Sequence, residues 1–170
     1  LDETNFGALH LLGEIAIKQG EYENAIEYFK KVLLIDSTNS LADIGLGDCF
    51  RNLGKDRIAV KSYKRALETL TNKYHENDPE VNKTVCETHI KVGQYYDDIL
   101  TLSKSIAEYK KAKKLCPTDT TAYKQLGFAY KDIKMYKEAI GEFKTYLDLE
   151  KEPDINDKTI SKDDSEIILK

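Results

Sequence analysis

Gly13, Gly47, Gly93 and Gly127 each follow a large aliphatic residue, in Leu12-Gly13, Leu46-Gly47, Val92-Gly93 and Leu126-Gly127. Their separations are 34, 46 and 34 residues, so the middle interval is one period plus twelve. Three residues beyond each glycine stand Ala16, Phe50, Tyr96 and Tyr130, and nine further on Ala25, Ala59, Ser105 and Ala139. Four residues after those come Phe29, Tyr63, Tyr109 and Phe143. A chain that repeats itself at a fixed period of this length folds as stacked copies of one small unit, not as one globule.

Within each unit the apolar residues recur at helical spacing in two stretches, for example Leu9, Leu12, Ala16 and then Ala25, Ile26, Phe29, Val32. Gly20-Glu21 between them reads as a helix stop. Each unit is therefore a helical hairpin. A mid-helix glycine costs about 1 kcal/mol relative to alanine, so it needs a reason. Close approach of the two helices supplies one, with Ala25, Ala59 and Ala139 as the expected flat spot. Phe29 and Tyr63 then fill the space between consecutive hairpins, each worth about 1.5–3 kcal/mol when buried.

The small and aromatic positions at a period of 34 resemble the tetratricopeptide repeat, matched four times in register. The resemblance implies an all-α, α-α superhelix (solenoid) of antiparallel helix hairpins. The expected units are 6–39, 40–73, 86–119 and 120–153. Residues 1–5, "LDETN", align with "IDSTN" at 35–39 and read as the end of a preceding repeat. Residues 74–85 are an insertion extending the helices, because Asp78-Pro79-Glu80 is a good helix start. Residues 154–170 read as a capping helix or linker. Leu100 replaces the inter-helix glycine kept as Gly20 and Gly54, so a different turn is expected in the third unit.

The net charge of −4 sits entirely in residues 148–170, while residues 1–147 carry 22 acidic and 22 basic side chains. A neutral body lacks the basic stripe that a nucleic-acid surface needs. No apolar run approaches the length of a membrane span. The three cysteines, Cys49, Cys86 and Cys116, are far apart in sequence and read as ordinary thiols of a reducing compartment. His10, His75 and His89 fall at no shared metal-ligand spacing, no cofactor motif is present, and no catalytic constellation emerges.

What remains is binding. In families of this kind the first helix of each hairpin lines a concave groove that takes extended peptides or helices. By register the groove residues are His10, Glu14 and Ile17 in the first unit, Leu41, Ile44, Asp48, Arg51 and Asn52 in the second, Ile90 and Gln94 in the third, and Lys124, Phe128 and Lys131 in the fourth. Ile17, Leu41, Ile44, Ile90 and Phe128 are the expected anchors, and Asp48, Arg51 and Lys124 the expected polar selectors. The same residues serve equally well as packing between successive first helices, and repeat position alone does not separate the two.

The places used by the chaperone-tail clamp of this family hold His10, Glu14, Gly45, Glu87 and Lys91. Two acids there would repel a terminal carboxylate, which argues against that role. The resemblance implies a non-catalytic protein–protein interaction scaffold, a segment of a larger intracellular protein in the cytoplasm, cilium or nucleus that serves as a subunit or adaptor of a multi-protein assembly. Two other readings stand beside it: the substrate-recognition arm of an enzyme whose catalytic domain lies outside these residues, and a self-association module.

Overall fold

A computed structural model describes residues 3–73 and 78–151. Eight helices and no strand occur among them, in the order α1 Glu3–Gln19, α2 Tyr22–Ile35, α3 Ser40–Asn52, α4 Asp56–Lys73, α5 Pro79–Asp98, α6 Leu102–Leu115, α7 Thr120–Asp132 and α8 Tyr136–Lys151. Each helix packs on its neighbours in the chain, and α1 also meets α3, as α5 meets α7. This is a solenoid of antiparallel hairpins. Its core is divided into three clusters. One is shared by the first three helices around Phe29, a second joins α4 to α5 around Tyr63, and a third runs from α5 to α8 around Tyr109 and Leu126.

The repeated glycines are explained by aromatic rings, not by the alanines. A methyl carbon on Gly13 would lie 2.7 Å from the Phe29 ring. Gly47 faces Tyr63, Gly93 faces Tyr109 and Gly127 faces Phe143 in the same way, all well inside contact distance. Each hairpin is thus closed by a ring of its second helix laid on the bare backbone of its first. Phe29 also reaches the next unit, where a methyl carbon on Gly45 would stand 2.5 Å from it. One ring therefore closes its own hairpin and joins it to the next.

The expected difference at Leu100 is overturned. Leu100 (φ 55°) and Lys134 (φ 64°) adopt the left-handed conformation of Gly20 (φ 78°) and Gly54 (φ 68°). The backbone bonds are equivalent too: Gly20 N–H to Ile17 O and Glu21 N–H to Ala16 O in the first unit, Leu100 N–H to Asp97 O and Thr101 N–H to Tyr96 O in the third. Packing of the two helices sets the turn, and the side chain tolerates the strain by pointing into solvent. Leu100→Gly is accordingly expected to stabilise the chain by about 1 kcal/mol, measured by chemical denaturation.

The two helices that flank the insertion are longer than their counterparts. α5 has 20 residues against 13 in α3 and α7, and α4 has 18 against 14 in α2 and α6. Asp78 caps α5 by accepting from the N–H groups of Glu80 and Val81, with Pro79 in the first turn. Residues 74–77 lie outside the described residues.

Residues 3–5, within the segment expected to close a preceding repeat, form the first turn of α1. The corresponding turn at 36–39 is built on the end of α2, through Asp36 N–H to Val32 O and Asn39 N–H to Asp36 O.

At the other end, Ile140 of α8 is 55% exposed, although its counterparts Ile26, Val60 and Ile106 are 7–8% exposed beneath the following hairpin. The expected cap at 154–170 lies outside the described residues.

Candidate binding cleft

The first helices of the first two units leave a cleft of about 320 Å³ beside Phe29. His10, Glu14, Ile17 and Lys18 line it from α1, and Leu41, Ile44, Gly45 and Asp48 from α3. Six of the thirteen residues expected in the groove thus come together in one concavity. Helical geometry explains the gathering, because residues three and four apart on each helix share a face.

The floor is Phe29, 1% exposed, against whose ring His10 stands edge-on at 5.5 Å between centroids. Leu41, half exposed, and the partly buried Ile17 and Ile44 form apolar walls. Glu14 is open to solvent on the rim, with His10 Nε2 at 3.5 Å.

The remaining expected residues are distributed differently. Ile90 is only 6% exposed and belongs to the core cluster with Ile106 and Tyr109, so it packs between helices and is no groove anchor. Arg51 bridges two units, donating to Gln94 Oε1 at 3.0 Å and Asp98 Oδ2 at 3.2 Å. Asn52 donates back to the carbonyl of Asp48 on its own helix. Lys124, Phe128 and Lys131 form a separate exposed patch near α8. There Phe128 meets Phe143 edge-on at 5.2 Å, while Lys131 lies over the Phe128 ring and Lys124 over Tyr146.

Asp48, expected as a free selector, is already held. Lys91 Nζ donates to its two carboxylate oxygens at 2.6 and 2.7 Å, and the Tyr63 hydroxyl donates to Oδ1 at 2.7 Å. Lys91 also lies over the face of Tyr63. The unit with Lys91 in place of Gly45 thus covers the ring with a cation where its neighbour uses bare backbone. This bridge was not foreseen from the sequence. Its available signal was the pair of tyrosines at positions where the other two units carry phenylalanine: Tyr63 bonds Asp48, and Tyr109 bonds Asp97.

Burial foremost, and then the adjacent carboxylates, hold the Tyr63 and Tyr109 phenols well above the ordinary tyrosine range. A raised folded-state value means stability that is full below the ordinary phenol range and lost as pH rises beyond it. In an alkaline titration followed by phenolate absorbance, two of the eleven tyrosines are therefore expected to ionise late, together with unfolding. Tyr63→Phe should remove one of the two late groups.

Among the described residues no group of three or more His, Cys, Asp or Glu side chains is placed to hold a metal ion, and no helix is long and apolar enough to cross a membrane.

Residues 7–39 match the family model described as tetratricopeptide repeat. "BBSome complex member bbs-4" of Caenorhabditis elegans is 27% identical over 158 residues, covering 75% of this chain. The chain spans 34% of that relative's length. Among solved structures, MamA superposes with a TM-score of 0.74 at 27% identity, over 88% of this chain and 80% of that one. The first TPR of Spaghetti (RPAP3), bound to the HSP90 peptide SRMEEVD, shares the fold with a TM-score of 0.65 at 18% identity, over 79% of this chain and 97% of that one.

Proposed function

This chain carries tetratricopeptide repeats, and from that premise we propose that it is a non-catalytic interaction scaffold that takes an apolar peptide or helix of a protein partner in the cleft between α1 and α3. The observation that carries the reading is the cleft itself: Leu41 stands half exposed beside the partly buried Ile17 and Ile44, around an aromatic floor. Exposed aliphatic residues gathered in a concavity are the usual mark of a docking site, because a solvated face gains nothing from them. The rim offers one exposed acid, Glu14, and one exposed cation, Lys18, while Asp48 is neutralised by Lys91.

An acidic tail of the SRMEEVD kind is not the expected ligand. Lys91, the one cation that the clamp positions retain, is tied to Asp48, and Glu14 and Glu87 stand where the ligand's carboxylates would lie. The relative in the BBSome complex supports a place as a subunit of a larger assembly, and a ciliary setting.

A photo-crosslinking residue placed at Leu41 is expected to trap one partner segment, which is then sequenced. The same residue at Leu34, 86% exposed on the outer face of α2, should trap none. Equal trapping from both positions would overturn the assignment of the cleft.

A further inference from the structure

Cys86 and Cys116 stand thirty residues apart, yet the third hairpin folds one against the other. Cys86 lies on α5, and Cys116 is the residue that caps α6. The Cys86 thiol donates to Ala112 O at 3.5 Å, and the same carbonyl accepts the backbone N–H of Cys116 at 2.9 Å. The Cys116 thiol donates to Asn82 O at 3.7 Å. Asn82 is four residues before Cys86, so its carbonyl is the helical acceptor for the Cys86 N–H. Each sulfur is therefore bonded to the carbonyl that the other cysteine's backbone uses, which makes the two thiols neighbours.

Their exposure differs. Cys86 is fully buried in the core cluster. Cys116 is partly exposed, on a cleft of about 520 Å³ that Pro79, Asn82, Lys83 and Asp119 also line. Burial, and then the hydrogen bond with Cys116, push the Cys86 thiol up, so it stays protonated and unreactive by itself at neutral pH. Cys49, buried among the first three helices, belongs to a different cluster.

We propose that Cys86 and Cys116 form a reversible disulfide modification site, oxidised by hydrogen peroxide through the cleft and restored by a small thiol. The Cys116 sulfur attacks a peroxide oxygen, the O–O bond breaks, and the leaving hydroxide takes the Cys116 thiol proton and departs as water, leaving Cys116 as a sulfenic acid. The Cys86 sulfur then attacks the Cys116 sulfur. The S–S bond forms, the S–O bond breaks, and the departing hydroxyl takes the Cys86 proton to become a second water. Two thiols lose two electrons and one peroxide gains them. A small thiol, in excess, reverses the bond by exchange. The product staples α5 to α6 in the hairpin that supplies Lys91 and Gln94 to the bridge with the second unit.

The test is peptide mapping of the 170-residue chain after peroxide treatment and blocking of free thiols. The expected product joins the peptides that contain Cys86 and Cys116, with two hydrogens lost, and leaves Cys49 reduced. A small thiol should undo it. The cross-link should raise the melting temperature by about 5–10 °C, and Cys116→Ser, at a partly exposed position, should abolish the rise. Cys116 carried to the sulfinic acid, or joined between molecules, with Cys86 still free on unfolding, would overturn the proposal.

Discussion

Gly47→Leu is expected to open the second hairpin and to cost at least about 3 kcal/mol, read as a loss of midpoint in chemical denaturation. The side chain has nowhere to go. Even the first carbon would collide with three atoms of the Tyr63 ring. That ring cannot move aside, because it is 1% exposed and its hydroxyl is held by Asp48. Gly141→Ala is the control. It sits in mid-helix in α8 with no heavy atom within 4 Å of the added carbon, so alanine should gain up to about 1 kcal/mol from helix propensity. Opposite signs at two helical glycines would separate close packing from propensity, and an unchanged midpoint for Gly47→Leu would refute the hairpin contact.

Arg65→Ala is the second large effect, at about 2–3 kcal/mol. Asp43 is 1% exposed on α3, at the repeat position where bulky packing residues stand in the other units. Arg65 on α4 donates to both of its carboxylate oxygens. Removing the cation leaves a buried charge without its partner, which costs about 3–5 kcal/mol in fully enclosed pairs. The lower figure applies because the Arg65 side chain is half open to water, where solvent screens part of the interaction. Asp43→Leu combined with Arg65→Ala should recover most of the loss, since an apolar replacement of both partners leaves no stranded charge. A double variant as unstable as Arg65→Ala would show that the pair is not what holds this interface.

The solenoid was legible in the sequence because its determinants are periodic. A glycine after an aliphatic residue, and an aromatic sixteen residues later, mark one contact made four times. What presses on the glycine was less legible. The repeat register pointed to Ala25, Ala59 and Ala139, whereas the rings of Phe29, Tyr63, Tyr109 and Phe143 occupy the place.

The turn at Leu100 shows the limit of local preference. A leucine adopts the left-handed conformation there because two packed helices impose it.

The cleft was legible in part, since the register places His10, Glu14, Ile17, Leu41, Ile44 and Asp48 on facing helices. The register carries no information about what a long side chain reaches. Lys91 and Arg51 therefore appeared as separate positions, although they tie Asp48, Gln94 and Asp98 into one inter-repeat bridge. Cys86 and Cys116 illustrate the same gap, as neighbours that sequence distance conceals.

Phe29 joins the fold to the site, because one ring closes the first hairpin, meets Gly45 of the second and forms the floor of the cleft. A double-mutant cycle between Gly45→Ala and Phe29→Leu, measured by chemical denaturation, tests that claim most directly. The shorter leucine should make room for the new methyl group, so Gly45→Ala should be costly alone and nearly neutral beside Phe29→Leu, with a coupling of about 1 kcal/mol or more. Strictly additive losses would show that the ring does not rest on Gly45, and would contradict the account of how the two repeats meet.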